Sequence, residues 1–415
     1  MQGGEVDVQR IFVCMGLLPD LADPAFLEDP YPVFRRILAA GPVLHDDDHK
    51  MWLVTGHAEI LEALKHPAAS VATAGARITS ALGSEAARFA PLIGAVSRFL
   101  TRLDPPDHTR LRALLTKAFT LEAVERMQNA IGALVEGYLA PRVSAGELDV
   151  MAELAVPLPM TVICRMLGIP PTDQARIKRW SDDLGSIADN DPSIEVLERA
   201  QQSLGLMREY ILGVIAARTR APGDDLLSAL IAAEESGDRL SPDELFGTVQ
   251  VLLIAGQETT TCLIGNAVHA LLTNPDQLAR LRQSPALMAT AVEECLRWDS
   301  PVQSRTRVAT ADMDIGGQRI PAGQTLFLLL GAANRDPRAF ADPDRFDVGR
   351  AHNAHVALGH GIHYCLGNAL ARLEARVALG WMVERLPRLA LKAGAPAPRR
   401  PNFSLRGFES LWVTC

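Results

Sequence analysis

The chain has 415 residues, 48% of them hydrophobic and 22% charged, and a formal net charge of −8. This composition provides for a sizeable buried core and excludes a general nucleic-acid binder, because neutralising phosphates takes a clustered positive surface; a local basic patch for an acidic protein partner stays open. Six scattered cysteines, Cys14, Cys164, Cys262, Cys295, Cys365 and Cys415, have neither CxxC spacing nor the look of a disulfide framework, which fits a reducing compartment.

Taken in chain order, the first apolar run, Ile11 to Leu18, is too short to span a bilayer and lacks the basic start and cleavage site of a signal peptide. A cytoplasmic protein with no membrane segment is the expectation. Pro19 to Pro32 reads as an extended entry segment ending at a helix near Pro32. Pro42 to Gly56 reads as a hairpin, with Asp46-Asp47-Asp48 as the turn and Met51–Val54 as the second strand. Asp104-Pro105-Pro106 predicts a helix start, with proline inside the first turn, running to about Phe119. Leu121–Val143, Pro157–Leu167 and Glu195–Arg218 also have helical periodicity. The longest helix is predicted from the cap Ser241-Pro242-Asp243-Glu244 to just before Asn274-Pro275. Another follows Pro285 and ends at Trp298. Short strands around the Gly316-Gly317 and Pro321-Ala322-Gly323 turns come next, then a last helix over Leu366–Leu386. The expected fold is mainly α with a minor β-sheet region, β-rich at about 30–60 and 300–330, in one domain over 1–415.

Most of the chemistry is concentrated in Leu358-Gly359-His360-Gly361-Ile362-His363-Tyr364-Cys365-Leu366-Gly367. The glycines allow a close backbone approach to a flat ligand. Cys365 precedes a predicted helix, whose N–H groups and dipole favour a thiolate, and a thiolate is a strong axial ligand for iron. Two other readings are open. A cysteine in such a loop is often a packed thiol, and His352, His355, His360, His363 and Cys365 crowd closely enough for a zinc site.

Three further patterns stand out. Ala255-Gly256-Gln257-Glu258-Thr259-Thr260 lies mid-way along the longest helix. Thr259 there can hydrogen-bond the Ala255 carbonyl and locally open the helix, and Glu258 is costly on so apolar a helix unless paired or wet; a kinked helix with a surface glutamate is the plainer alternative. Glu294 and Arg297 are i, i+3 on one helix and can pair. His108 and Arg112 are i, i+4 and share a face, which by itself is also what a solvated basic face looks like.

The cysteine loop resembles the haem-binding loop of the cytochrome P450 superfamily, F-G-x-G-x-H-x-C-x-G, with Leu358 in place of the first Phe. The resemblance covers nearly the whole chain and fits the bacterial, soluble branch best. It implies a haem b buried between the long central helix and the cysteine-loop helix, with Cys365 as the metal ligand. It places Thr259 as a hydrogen-bonding partner of the dioxygen being activated and Glu258 in proton relay. It puts His108, Arg112, Arg307 and His363 on the haem propionates, two charges that must be paired if buried. It makes Glu294, Arg297 and Arg345 a structural network behind the cysteine loop, and leaves His355 and His360 structural or on the surface. Pocket walls are expected from the loop after His66 and from Val251, Ala255, Val302, Gln303 and Phe403.

The implied activity is monooxygenation of a small apolar organic molecule by O2. Phenol or C–C coupling, rearrangement and peroxide-driven chemistry are the alternatives, and a haem sensor or carrier is a remote one. No G-x-G-x-x-G follows a strand, so electrons from NAD(P)H are expected through an external ferredoxin and ferredoxin reductase, docking near Arg110, Lys117 and Arg372. Leu358 is expected beside the sulfur, where it would tune the iron's potential.

Overall fold

A computed structural model describes residues 17–72, 75, 79, 82–188, 193–235 and 237–415. Cys14 and the apolar run up to residue 16 lie outside the described residues. The helices form largely where caps and periodicity place them. Helix α1 spans Asp107–Ala118. Pro105 and Pro106 stand just ahead of it rather than inside its first turn, with Pro106 at the cap position. The expected helix over 121–143 is two, Leu121–Glu125 and Gln128–Val143, interrupted at Arg126 and Met127.

Helix α2 (Pro242–Thr273) is 32 residues long. At its start the Ser241 hydroxyl accepts from the Glu244 N–H at 3.3 Å and the Glu244 carboxylate accepts from the Ser241 N–H at 2.8 Å. This reciprocal cap satisfies two donors that a helix end otherwise leaves orphaned. Helix α3 (Met288–Trp298) and helix α4 (Asn368–Arg385) pack against α2, as do the helices over Pro157–Met166 and Gln174–Gly185. Leu253, Leu263, Ile264, Ala267 and Val268 of α2 are buried in the resulting core.

A five-stranded sheet flanks the helices. Its strands are β1 (Val43–Asp46), β2 (Met51–Val54), β3 (Ala69–Ser70), β4 (Ser304–Ala309) and β5 (Thr325–Leu329), in the spatial order β1-β2-β5-β4-β3. β5 runs parallel to β2, pairing Phe327 with Leu53, and antiparallel to β4, pairing Leu326 with Arg307. The strands Met313–Ile315 and Gln318–Ile320 form a hairpin turned by Gly316 and Gly317, both at positive φ (55° and 77°), which a two-residue hairpin turn of this kind demands. The architecture is mainly helical with a minor mixed sheet. Among the described residues no helix is long and apolar enough to cross a membrane.

Candidate active site

The cysteine loop is a wound turn. The Gly359 N–H donates to Val356 O at 2.9 Å, the Tyr364 N–H to Gly361 O at 3.0 Å, and the Cys365 N–H to Leu358 O at 3.0 Å. Gly361 has φ +69°, and a Cβ there would stand 2.8 Å from the Leu64 carbonyl oxygen, so neither the conformation nor the space admits a side chain. Gly361→Ala is therefore expected to cost about 1–3 kcal/mol. Thermal unfolding of the holoprotein measures it, and an unchanged transition would show that the loop has slack. Leu358, half-buried against the main core, holds the Cys365 N–H through its carbonyl.

Burial pushes the Cys365 thiol up, while the Gly367 N–H and the guanidinium groups of Arg112, Arg305 and Arg372 act the other way. Cys365 itself is half-buried, its thiol hemmed in by protein. A ring of cationic and imidazole groups stands beside it. His108 and His363 have ring centroids 4.3 Å apart. Burial lowers His363 to about 4, aided by His108 and Arg307; burial also lowers His108, aided by Arg112. Burial lowers Arg307 to about 10, and lowers Arg112 as well. Both ring nitrogens of His108 are buried with no hydrogen-bond partner among the described residues. Buried polar groups are rarely left so, and those of His108 ask for an acidic oxygen. A soft thiolate, a glycine cradle and converging donors for two carboxylates fit haem b, with Cys365 as its ligand and His108, Arg112, Arg307 and His363 toward the propionates. The zinc reading loses its ligand set. His355 Nε2 donates to Glu293 at 3.1 Å, its Nδ1 taking the Ala357 N–H, and His363 lies against His108. Among the described residues no three potential ligands converge on a metal position.

On α2, Thr259 Oγ1 donates to Ala255 O at 2.9 Å, and the helix runs through this segment without interruption. Glu258 points to another side. Burial raises its carboxyl, Arg400 opposes that from 3.5 Å, and the residue lines an open cavity of about 460 Å3 with Lys178, Asp182 and Gln257. Arg400 had no signal in the sequence, being 142 residues away.

The structural network behind the loop differs from expectation in one member. Arg297 and Glu294, both fully buried, make a bidentate pair with two contacts of 2.8 Å. The second guanidinium on Glu294 comes from Arg350, whose Nε lies 3.1 and 3.2 Å from the carboxylate oxygens, and not from Arg345. Arg345 is exposed and gives only its carbonyl, which accepts from Arg297 at 3.1 Å and Arg350 at 2.9 Å. The chain turns back after Phe346, so Arg350, five residues beyond Arg345, reaches the acid.

Three of the expected pocket residues are committed to packing. Phe403, 4% exposed, stacks on Phe26 at 5.2 Å. Gln303, wholly buried, donates to Ser300 O at 2.7 Å, and Val302 packs in the core beside the sheet. Val251 packs with Val96 and Phe99, while Ala255 keeps exposed surface half-way along the central helix. The expected docking cations are also engaged. Arg110 pairs with Asp238 and Glu244, Lys117 donates to Glu234 O, and Arg372 is bidentate on Glu293. This pair explains why Glu293, which burial would raise, is instead held down to about 2 by Arg372 and His355.

Comparison with known proteins agrees with this geometry. The family model for cytochrome P450 matches residues 94–405. The chain is 41% identical to Cytochrome P450 107B1 of Saccharopolyspora erythraea over 96% of its own length and 98% of that protein. It is 39% identical to the Vitamin D(3) 25-hydroxylase of Pseudonocardia autotrophica, covering 95% and 96%. The crystal structure of CalO2 superposes with a TM-score of 0.89 at 34% identity, covering 96% of this chain and 98% of that one. The chain therefore belongs to the cytochrome P450 family, the haem-thiolate monooxygenases, in its bacterial branch.

Proposed function

We propose that the protein hydroxylates or epoxidises a small, mostly apolar organic molecule with one atom of O2, working in the cytoplasm. Two electrons come from NAD(P)H through a ferredoxin reductase and a ferredoxin. The single observation that carries this reading is the enclosed Cys365 sulfur beside His108, whose ring nitrogens have no partner among the described residues, and its arginine neighbours. When bound, haem b supplies the redox chemistry of oxygen activation.

The remaining roles belong to the chain itself. Cys365 binds through its sulfur, and His108, Arg112, Arg307 and His363 orient the propionates. Thr259, its proton given to Ala255 O, turns its lone pairs outward, where they accept a hydrogen bond from a proton-bearing group. Glu258, raised by burial, keeps a proton to higher pH than an exposed glutamate, and its open cavity supplies replacements from solvent. This pairing of threonine and acid favours dioxygen over coupling, rearrangement or peroxide chemistry.

Thr259→Ala tests it. Substrate binding is expected to persist while product per NAD(P)H consumed falls about tenfold or more, the balance appearing as peroxide. An unchanged ratio removes Thr259 from the mechanism.

A further inference from the structure

α3 carries two adjacent glutamates that serve different parts of the molecule. Glu294 is fully buried and holds Arg297 and Arg350. Glu293, about 100° further back round the helix, is half-buried and turns to the cysteine loop. Its Oε1 accepts from Arg372 Nε at 2.7 Å; its Oε2 accepts from Arg372 Nη2 at 2.8 Å and from His355 Nε2 at 3.1 Å.

Each partner continues to a different limb of that loop. Arg372 Nη1 donates to Asn368 Oδ1 at 2.8 Å. That fixes the amide's orientation, so Asn368 Nδ2 donates to the Cys365 carbonyl at 2.8 Å. The same Nη1 lies 3.3 Å from the hydroxyl of Tyr364, the residue before the cysteine. On the other side His355 Nδ1 accepts the Ala357 N–H at 3.3 Å. Ala357 leads directly into Leu358, whose carbonyl takes the Cys365 N–H at 3.0 Å. One carboxylate is therefore tied to both backbone groups of Cys365: to the carbonyl through Arg372 and Asn368, and to the N–H through His355 and the 357–358 peptide.

The arrangement acts through charge as well as through position. The Arg372 guanidinium is among those that oppose burial at the Cys365 thiol. The side chains of Arg372 and Glu293 are only 26% and 28% exposed, so solvent and salt screen their fields incompletely. The charges and hydrogen bonds around an axial thiolate set how strongly it donates, and with that the iron's reduction potential. A cation there favours the added electron, and an anion opposes it.

We propose that Glu293 is a positioning residue for the axial ligand. It holds Arg372 and His355 on the two limbs of the cysteine loop and, by neutralising Arg372, sets the potential at which the haem iron takes its first electron. This rests on the haem-thiolate reading above and deepens it.

The test is a redox titration of the holoprotein, comparing the parent with Glu293→Gln, Arg372→Gln and the double variant. Glu293→Gln leaves the arginine uncompensated and should raise the midpoint potential. Arg372→Gln leaves the glutamate uncompensated and should lower it. Each shift should correspond to about a threefold or larger change in the ferric–ferrous equilibrium constant. In the double variant the two shifts should largely cancel. A merely structural pair would loosen the loop either way, lowering the urea midpoint of both single variants and moving their potentials in the same direction or not at all. Potentials equal to the parent's, or shifts of the same sign, overturn the proposal. If one variant does not fold, the sign in the other still decides; loss of haem from both would make the pair scaffold and overturn the tuning role. The carbon monoxide spectrum of the reduced parent separates the two levels. If its thiolate band is missing, the haem-thiolate reading fails; if the band is present and the potentials do not move as described, only the Glu293 assignment fails.

Discussion

Cys365→His is expected to retain haem and lose oxygenation altogether. Retention follows from the other contacts, since His108, Arg112, Arg307 and His363 do not depend on the sulfur and the glycine turn keeps its backbone bonds. Loss of turnover follows from the ligand, because an imidazole pushes far less charge onto the iron than a thiolate. The reduced, carbon monoxide-treated variant should lack the red-shifted thiolate band. The buried cysteines cannot substitute. Burial pushes the thiol of Cys164 up to about 12 and that of Cys262 to about 11, so neither offers a thiolate. Cys164→Ala and Cys262→Ala should keep the parent spectrum. A thiolate band persisting in Cys365→His would transfer the ligand role elsewhere and sink the assignment.

Arg297→Ala is expected to be the most destabilising single change outside the haem contacts, at about 3–5 kcal/mol. Its guanidinium is fully buried, pairs with Glu294 and donates to the carbonyls of Asn334, Pro343 and Arg345. Its removal strands a buried carboxylate and three carbonyl groups, although Arg350 remains to soften the loss. Arg350→Ala should be the milder of the two. Arg345→Ala, which removes an exposed side chain and leaves the useful carbonyl in place, should stay within about 0.5 kcal/mol. Urea unfolding of the three variants measures the ranking. A costly Arg345→Ala beside a silent Arg350→Ala would reverse the network's assignment.

Those two arginines mark where sequence reading stops. The long helix, its N-terminal cap and the hairpin at 43–54 were legible because their signals are local: a cap, a periodicity, a turn. The glycine turn and Cys365 were legible for the same reason. Arg350 was not, because which of two arginines five residues apart reaches Glu294 depends on how the intervening loop folds back. Arg400 beside Glu258 and Glu293 beneath Arg372 are tertiary pairings with no sequence spacing to betray them. Phe403 packs in an aromatic cluster with Phe26, Phe34 and Phe327, another tertiary burial that no sequence spacing announces.

The parallel pairing of β2 with β5 also fixes the order of events as the chain emerges from the ribosome. Residues 51–54 must wait for residues 325–328, and β3 must wait for β4, so the sheet is among the last parts to close. Such distant pairings carry a loop-closure cost that local helices escape, and they slow folding. Arg305 and Arg307 ride on the strand that joins those early and late pieces. The propionate side of the site, and with it tight retention of the prosthetic group, is therefore completed only after most of the polypeptide has been synthesised, and a nascent chain that stops before His363 and Cys365 should capture haem poorly even with its central helix formed.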